Sequence, residues 1–390
     1  MDLTWNKIRE LFKNTIELQQ IGVANISSKA IMAIFWFYIA ATLGTEDYGQ
    51  VSYLIALGST GAALSMVGSP NSLIVYGAKK IPIESIIYSI SLIIGAVTSI
   101  IFYFLLQNLI ISIFIFGYII FNLGIAELLG RREYKNYSIV FVTQKIIFVI
   151  LGLLFYYLIG FEGIVLGFAL SLFLVVYVII KGFKETKIDI KILKPRFGFM
   201  INNYALSIER LLSGQIDKLI IAPMFGFSLL GNFALSLQFF SVMSIIPTIV
   251  FQYTLSQDAI GKTNLKIKKI SIISSAIVST LAITLSPIVI PVIFPEFIEA
   301  VELIQIISIH VIANAIIYAY NSKFLGEENS KLVLVGKGIS VIIYIGGIFT
   351  LGTLIGINGV AIALVLSGIG QAIFNIIASK YLKNLQKKEK

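Results

Sequence analysis

The sequence contains no cysteine and a single histidine, His310. The absence of cysteine excludes disulfide bonds, thiolate catalysis and cysteine-based metal sites. One histidine cannot form a histidine-rich metal site. A glycine-rich phosphate loop with the Lys and Ser/Thr of a nucleotide hydrolase is also absent, as is any enzymatic constellation. We therefore expect no metal, no cofactor, no catalytic residue and no enzymatic activity.

Charged residues make up only 13% of the 390 residues, whereas 57% are hydrophobic and the mean hydropathy is +0.93. Apolar runs of about 20 residues recur from end to end, and each is long enough to cross the bilayer as a helix. Strand-type alternation is absent. The pattern predicts an all-α polytopic membrane protein with twelve spans, numbered 1 to 12 in chain order: 21–43, 50–75, 83–106, 109–129, 139–160, 163–182, 198–225, 229–254, 269–293, 300–323, 332–355 and 358–379.

Every second gap between these spans contains no Lys or Arg residue. All but four of the 30 Lys and Arg residues lie in or beside the alternate gaps, and the remaining gaps carry only acids or no charge. Lys and Arg are retained on the cytoplasmic side of membrane proteins. We therefore expect a multi-pass protein of the cell (plasma or inner) membrane with both termini in the cytoplasm. The same pattern explains the net charge of +10 better than nucleic-acid binding does.

The two halves of the chain resemble each other. Span 6 begins at Ile159-Gly160-Phe161-Glu162-Gly163 and span 12 at Ile355-Gly356-Ile357-Asn358-Gly359, while Gly44 and Gly49 after span 1 match Gly226 and Gly231 after span 7. Matching spans share one orientation, so the repeat is parallel, as in transporters with two lobes around a central cavity. The predicted organisation is an amphipathic cytoplasmic segment, a six-helix lobe, a cytoplasmic linker, a second six-helix lobe and a basic cytoplasmic tail, at residues 1–20, 21–182, 183–197, 198–379 and 380–390.

Four cations lie within the spans, where a charge is costly and usually functional: Lys29, Lys145, Arg210 and Lys218. Span 7 also carries a polar stripe, since its polar residues are spaced alternately by four and three positions and so share one helix face. The candidate polar and acidic residues beside the cations are Asp217, Glu209, Asn25, Ser28, Asn203 and Ser207. Because spans 1 and 7 are equivalent in the repeat, both faces should line one cleft.

Several of these residues also have a structural interpretation. Lys29 and Lys145 lie about a third of the way in from the cytoplasm and could extend back towards it. Glu209 and Asp217 could neutralise Arg210 and Lys218, and Lys218 could lie at the outer rim. The excess of embedded bases over acids nevertheless favours an anionic substrate, and Arg matches phosphate well.

Two stretches carry a resemblance to a known family. The segment from Asn25 to Gly49 is similar to the opening of polysaccharide-export flippases, and Gln215-Ile216-Asp217-Lys218 followed by Gly226 and Gly231 resembles their second-half signature. These O-antigen-type flippases belong to the multidrug/oligosaccharidyl-lipid/polysaccharide transporter superfamily. The chain is shorter than is usual for them, and Asn232-Phe233 replaces the Tyr found at the first turn.

The resemblance implies a flippase that moves a polyprenyl-(di)phosphate-linked oligosaccharide from the inner to the outer leaflet, for surface polysaccharide or glycan assembly. It implies membrane lipids as surroundings, and glycosyltransferases or a polymerase of the same pathway as partners. Two alternatives remain. A cation or drug antiporter of the same fold would bind its substrate through Glu209 and Asp217. A membrane-embedded glycan polymerase or ligase would need a sizeable outer loop, which the sequence lacks.

Overall fold

A computed structural model of the chain describes residues 2–66, 69–259 and 264–388, without the side chains at 2–21, 69, 205–213, 256, 259 and 383–388. The described residues form thirteen α-helices and three short 3₁₀ turns, and they contain no strand. The helices are α1 Asp2–Ser65, α2 Ser69–Ala78, α3 Glu84–Leu106, α4 Leu109–Gly130, α5 Tyr134–Ile159, α6 Phe161–Ser171, α7 Val176–Glu185, α8 Phe197–Phe225, α9 Phe227–Met243, α10 Ile245–Ala259, α11 Leu265–Ile293, α12 Ala300–Gly326 and α13 Ser330–Lys388.

Within the described ranges, eight helical stretches are long and apolar enough to cross a membrane, and α9 with α10, bent by 45°, forms a ninth. Two of the eight, Gly22–Ser65 and Ser330–Leu382, are 44 and 53 residues long and contain an internal break, so each provides two crossings. The charged helix α8 has 29 residues and is also long enough. Among the described residues, helices therefore lie in each of the twelve predicted spans.

Glycines with positive φ interrupt the helices at four places, and these are the positions that the internal repeat predicted. The φ angles are 74° at Gly44, 78° at Gly160, 87° at Gly226 and 66° at Gly356. All four also have ψ beyond 145° in magnitude, a region that is accessible essentially only to glycine. Each glycine turns the chain from one span directly into the next.

The pairing of spans 5 and 6 is repeated in spans 11 and 12. A β-carbon on Gly163 would overlap the carbonyl oxygen of Phe155, and one on Gly359 would overlap that of Leu351. Gly163 and Gly359 are matching positions, and so are Phe155 and Leu351. The two helical hairpins thus have the same close backbone approach at matching positions.

The chain forms two compact units. The first comprises Met1–Tyr38 and Gln50–Leu219, and the second comprises Ile39–Gly49 and Ile220–Lys390. Each is built around one central helix: α4 in the first unit, with Phe114, Ile115 and Leu123 buried, and α12 in the second, with Leu303 and Ile307 buried. These helices are spans 4 and 10, which are equivalent in the repeat.

The segments outside the spans are largely helical. Helix α1 begins at Asp2 and continues into span 1, while the side chains of the predicted amphipathic segment, residues 1–20, lie outside the described residues. Helix α7 extends to Glu185, so the linker between helices is shorter than the predicted 183–197. Helix α13 continues to Lys388 and includes most of the predicted tail.

Candidate substrate site

The ten candidate residues lie on α1, α5 and α8, and all of them belong to the first unit. On α1, Ser28 is buried and Lys29 is exposed. The Asn25 side chain hydrogen bonds the Tyr137 hydroxyl on α5. Lys29 forms no ion pair with any side chain that the structure describes. The charge of Lys29 therefore lies on the surface of this unit, within the membrane-spanning part of α1.

Hydrogen bonds connect the first half of α8 to span 2. Asn71 donates through Nδ2 to Oδ1 of the buried Asn203 at 3.0 Å, and Asn203 donates through Nδ2 to the carbonyl of Phe199 at 2.8 Å. The Tyr204 hydroxyl donates to the carbonyl of Leu64 at 2.8 Å, one residue before α1 ends. These bonds fix the start of α8 against the interrupted second span.

The middle of α8 carries three candidates, Ser207, Glu209 and Arg210, whose side chains lie outside the described residues. Their backbone is helical. The predicted stripe therefore has the required periodicity, while the contacts of these three side chains stay predictions.

The end of the stripe forms a local charge pair. Asp217 is buried and accepts the backbone N–H of Lys218 at 2.8 Å through Oδ1, which lies 3.8 Å from Lys218 Nζ. Lys218 Nζ also donates to the carbonyl of Gly214 at 3.2 Å and to Oε1 of Gln215 at 3.3 Å. Most of the hydrogen-bonding capacity of Lys218 is thus used within its own helix, which favours a structural role for this cation.

Lys145 lies among three aromatic rings. Its Nζ is 5.4, 5.7 and 5.9 Å from the ring centroids of Phe141, Phe168 and Phe121. The faces of aromatic rings attract cations. The preceding residue, Gln144, is fully buried and donates to Ser171 Oγ at 2.8 Å, which fixes α5 against α6 at this level.

The Lys145 ammonium has no carboxylate within ion-pair distance among the described residues. The described contacts of its charge are the three ring faces, and its three N–H donors could bind an anion. No group of three His, Asp or Glu residues that could hold a metal occurs in the described part of the chain.

The sequence analysis did not identify Asn71, Tyr137, Tyr204 or the three phenylalanines. Asn71 had a local signal, because Ser69-Pro70-Asn71-Ser72 is a polar interruption inside an apolar span. The phenylalanines had none, since phenylalanine is common throughout the chain and only the rotation of α4, α5 and α6 brings these three rings around Lys145.

No protein-family model and no curated protein matches the chain. Solved structures do match. A structure titled lipid II flippase MurJ, inward closed conformation, has a TM-score of 0.77 and 15% identity over 92% of this chain and 87% of that one. The outward-facing structure of a multidrug resistance MATE family transporter of the MOP superfamily has a TM-score of 0.61 and 14% identity over 95% of this chain and 96% of that one. The inward-facing structure of a multidrug resistance MATE family transporter of the MOP superfamily has a TM-score of 0.60 and 14% identity over 94% of this chain and 96% of that one.

At these identities the likeness establishes the fold. It confirms the predicted fold class, an all-α polytopic membrane protein of about twelve spans in two lobes. The solved structures that share this fold are titled as a lipid II flippase and as transporters of the MOP superfamily. The chain thus has the fold that these membrane transporter structures share.

Proposed function

We propose that the chain is a flippase that moves a polyprenyl-(di)phosphate-linked oligosaccharide from the inner to the outer leaflet of the cell membrane, for assembly of a surface polysaccharide or glycan. The observation that carries the proposal is the charge balance of the first unit. Lys29 and Lys145 have no described ion partner, whereas the embedded acid Asp217 contacts the neighbouring Lys218. A site with excess positive charge suits a phosphate linker.

The proposed residue roles follow from depth and contacts. Lys29 and Arg210 hold the phosphate groups, and Lys145 supplies a further cation. Asn25, Ser28, Asn203, Ser207 and Glu209 provide polar groups for the glycan, while Asp217 and Lys218 support α8. The lipid tail stays in the bilayer. Movement of a doubly charged linker outward gains roughly 5 kcal/mol at 100 mV, so the membrane potential can drive transport without a coupling ion.

The fold likeness supports a lipid-linked substrate, since the lipid II flippase gives a higher TM-score than the multidrug transporter structures do. Because multidrug transporters have the same fold, an antiporter is the second candidate function. In an antiporter the acids of α8 would bind a cationic substrate, so Asp217 and Glu209 rather than the bases would be essential. Glycosyltransferases or a polymerase of the same pathway are the proposed protein partners.

Substitutions on α8 distinguish the two functions. Arg210→Ala should abolish flipping of a lipid-linked oligosaccharide in proteoliposomes while the protein remains inserted and abundant. Arg210→Lys should restore only part of the activity, because an ammonium lacks the bidentate geometry of guanidinium. Asp217→Asn should lower activity modestly. If Asp217→Asn stops transport and Arg210→Ala is tolerated, the site serves cations and the flippase proposal is wrong.

A further inference from the structure

The connection between α7 and α8 joins two membrane-spanning helices across residues 186–196. It contains two 3₁₀ turns, Ile190–Ile192 and Lys194–Arg196. Since both ends enter the bilayer, this short connection must follow the membrane surface rather than extend away from it. Its side chains are therefore placed at the level of the lipid headgroups.

The lysines of this connection and Lys184 in the last turn of α7 are exposed, and the acids beside them form hydrogen bonds or ion pairs. Lys184, Lys187, Lys191 and Lys194 are exposed and form no ion pair with any described side chain. Asp189 accepts the backbone N–H of Lys191 at 2.9 Å. Glu185 lies 2.5 Å from Arg131 and 3.9 Å from Lys181. The four lysines thus form a surface with a net positive charge that Asp189 offsets only in part, here called the lysine surface.

Large apolar side chains alternate with these lysines. Ile188 is 61% exposed and Ile190 is 74% exposed, on either side of Asp189 and between Lys187 and Lys191. In water two such isoleucines would be unfavourable, whereas beside a bilayer they can enter the boundary between headgroups and acyl chains. The alternation of cations with inserted aliphatic side chains fits an anionic lipid surface.

The last basic residue of the connection has a different role. Arg196 donates through Nη1 to the carbonyl of Ile192 at 2.6 Å, and its guanidinium lies 5.5 Å from the centre of the Tyr76 ring on α2. Phe199 packs edge-on against the same ring at 5.4 Å. Arg196 therefore attaches the end of the connection to α2 and positions the start of α8, which carries candidate substrate residues.

We propose that the lysine surface binds the headgroups of anionic phospholipids in the cytoplasmic leaflet, with Ile188 and Ile190 inserted between them. Clusters of four or more cations immediately cytoplasmic of a membrane helix recognise such lipids. Through Arg196 and Tyr76, this contact holds the entry to α8 in place. The inference rests on the membrane topology of the proposed function and is independent of the substrate.

The absence of cysteine allows a direct test in the full-length protein. Ile190→Cys, labelled with an environment-sensitive fluorophore, is reconstituted in phosphatidylcholine vesicles with or without about 30% phosphatidylglycerol, with doxyl-labelled lipid as quencher. Quenching should be at least about twofold stronger with phosphatidylglycerol. It should decrease at high salt, because the Debye length falls from about 10 Å at 0.1 M to about 3 Å at 1 M.

Variants separate local recognition from overall charge. Replacing Lys184, Lys187, Lys191 and Lys194 by Gln should remove the effect of phosphatidylglycerol, whereas replacing the exposed Lys79, Lys80, Lys266 and Lys331 should preserve it. Equal quenching in both vesicles, absence of quenching in both, or equal sensitivity of the two variants would overturn the proposal. Because no transport is measured, these results do not depend on whether the protein is a flippase.

Discussion

Gly49 and Gly231 occupy matching positions in the two halves of the chain, and each lies against the backbone that begins the other's helix. A β-carbon on Gly49 would overlap the carbonyl oxygen of Phe227, and one on Gly231 would overlap that of Thr45. Thr45 Oγ1 and Ser228 Oγ form a hydrogen bond of 2.8 Å at the same crossing. All these residues belong to the second unit. The start of span 2 and the start of span 8 thus cross with near two-fold symmetry, and only glycine fits.

The crossing predicts a stability effect. Gly231→Ala and Gly49→Ala should each lower the free energy of unfolding by about 1–3 kcal/mol, because a methyl group would push two backbones apart. Gly346→Ala is the matched control, since Gly346 lies within α13 and no heavy atom is near its added β-carbon. It should be neutral or stabilise by up to about 1 kcal/mol. Thermal unfolding in detergent measures all three, and equal melting temperatures would contradict the close contact.

The same crossing predicts a reversible block of transport. Thr45→Cys with Ser228→Cys places two thiols where hydroxyls are 2.8 Å apart, in a chain without other cysteines. A disulfide there should stop transport and a reductant should restore it, because it would link the first sequence repeat to the second and the proposed transport cycle moves the repeats apart.

The control for the disulfide is a pair that does not connect the two sequence repeats. Ser85→Cys with Thr186→Cys replaces two hydroxyl groups 2.7 Å apart on α3 and just after α7. Its disulfide should form equally well and leave transport largely intact. Thiol labelling after oxidation quantifies both cross-links. Transport that continues with the bond between positions 45 and 228 fully formed would exclude separation at this crossing.

Much of the fold could be predicted from the sequence because its signals are local. A span needs only about 20 apolar residues in succession, and the breaks at Gly44, Gly160, Gly226 and Gly356 follow from repeated glycine motifs. The candidate site depends on helix rotation and on contacts between distant residues. Asn71 and Asn203 are 132 positions apart, and nothing near either residue indicates their bond.

The orientation of the chain can be tested with reporter fusions. Fusions after Lys80, Arg132 and Lys268 should report a cytoplasmic location, and fusions after Asp47, Glu162 and Glu296 an external one, because basic residues are confined to alternate gaps. Alkaline phosphatase and green fluorescent protein are active on opposite sides and provide a control for each other. Two discordant positions among the six would refute the topology of twelve spans with both termini in the cytoplasm.

Lys145 and Lys218 are embedded lysines with opposite expected roles. Lys145→Met should lower transport at least tenfold while changing the free energy of unfolding by less than about 2 kcal/mol, because the lost attraction to three rings is offset by removal of a desolvated charge. Lys218→Met is the matched control. Since Lys218 Nζ bonds Gly214 and Gln215 on its own helix, its loss should alter transport only modestly.

Flipping in proteoliposomes and thermal unfolding in detergent measure the two effects separately. A large loss of stability in Lys145→Met with transport per folded molecule unchanged would assign Lys145 a structural role. A stronger transport defect in Lys218→Met than in Lys145→Met would indicate that Lys218, near the end of α8, binds the anion instead of Lys145. The expected result, a transport defect without unfolding at Lys145 alone, would identify the ammonium among Phe121, Phe141 and Phe168 as a substrate contact.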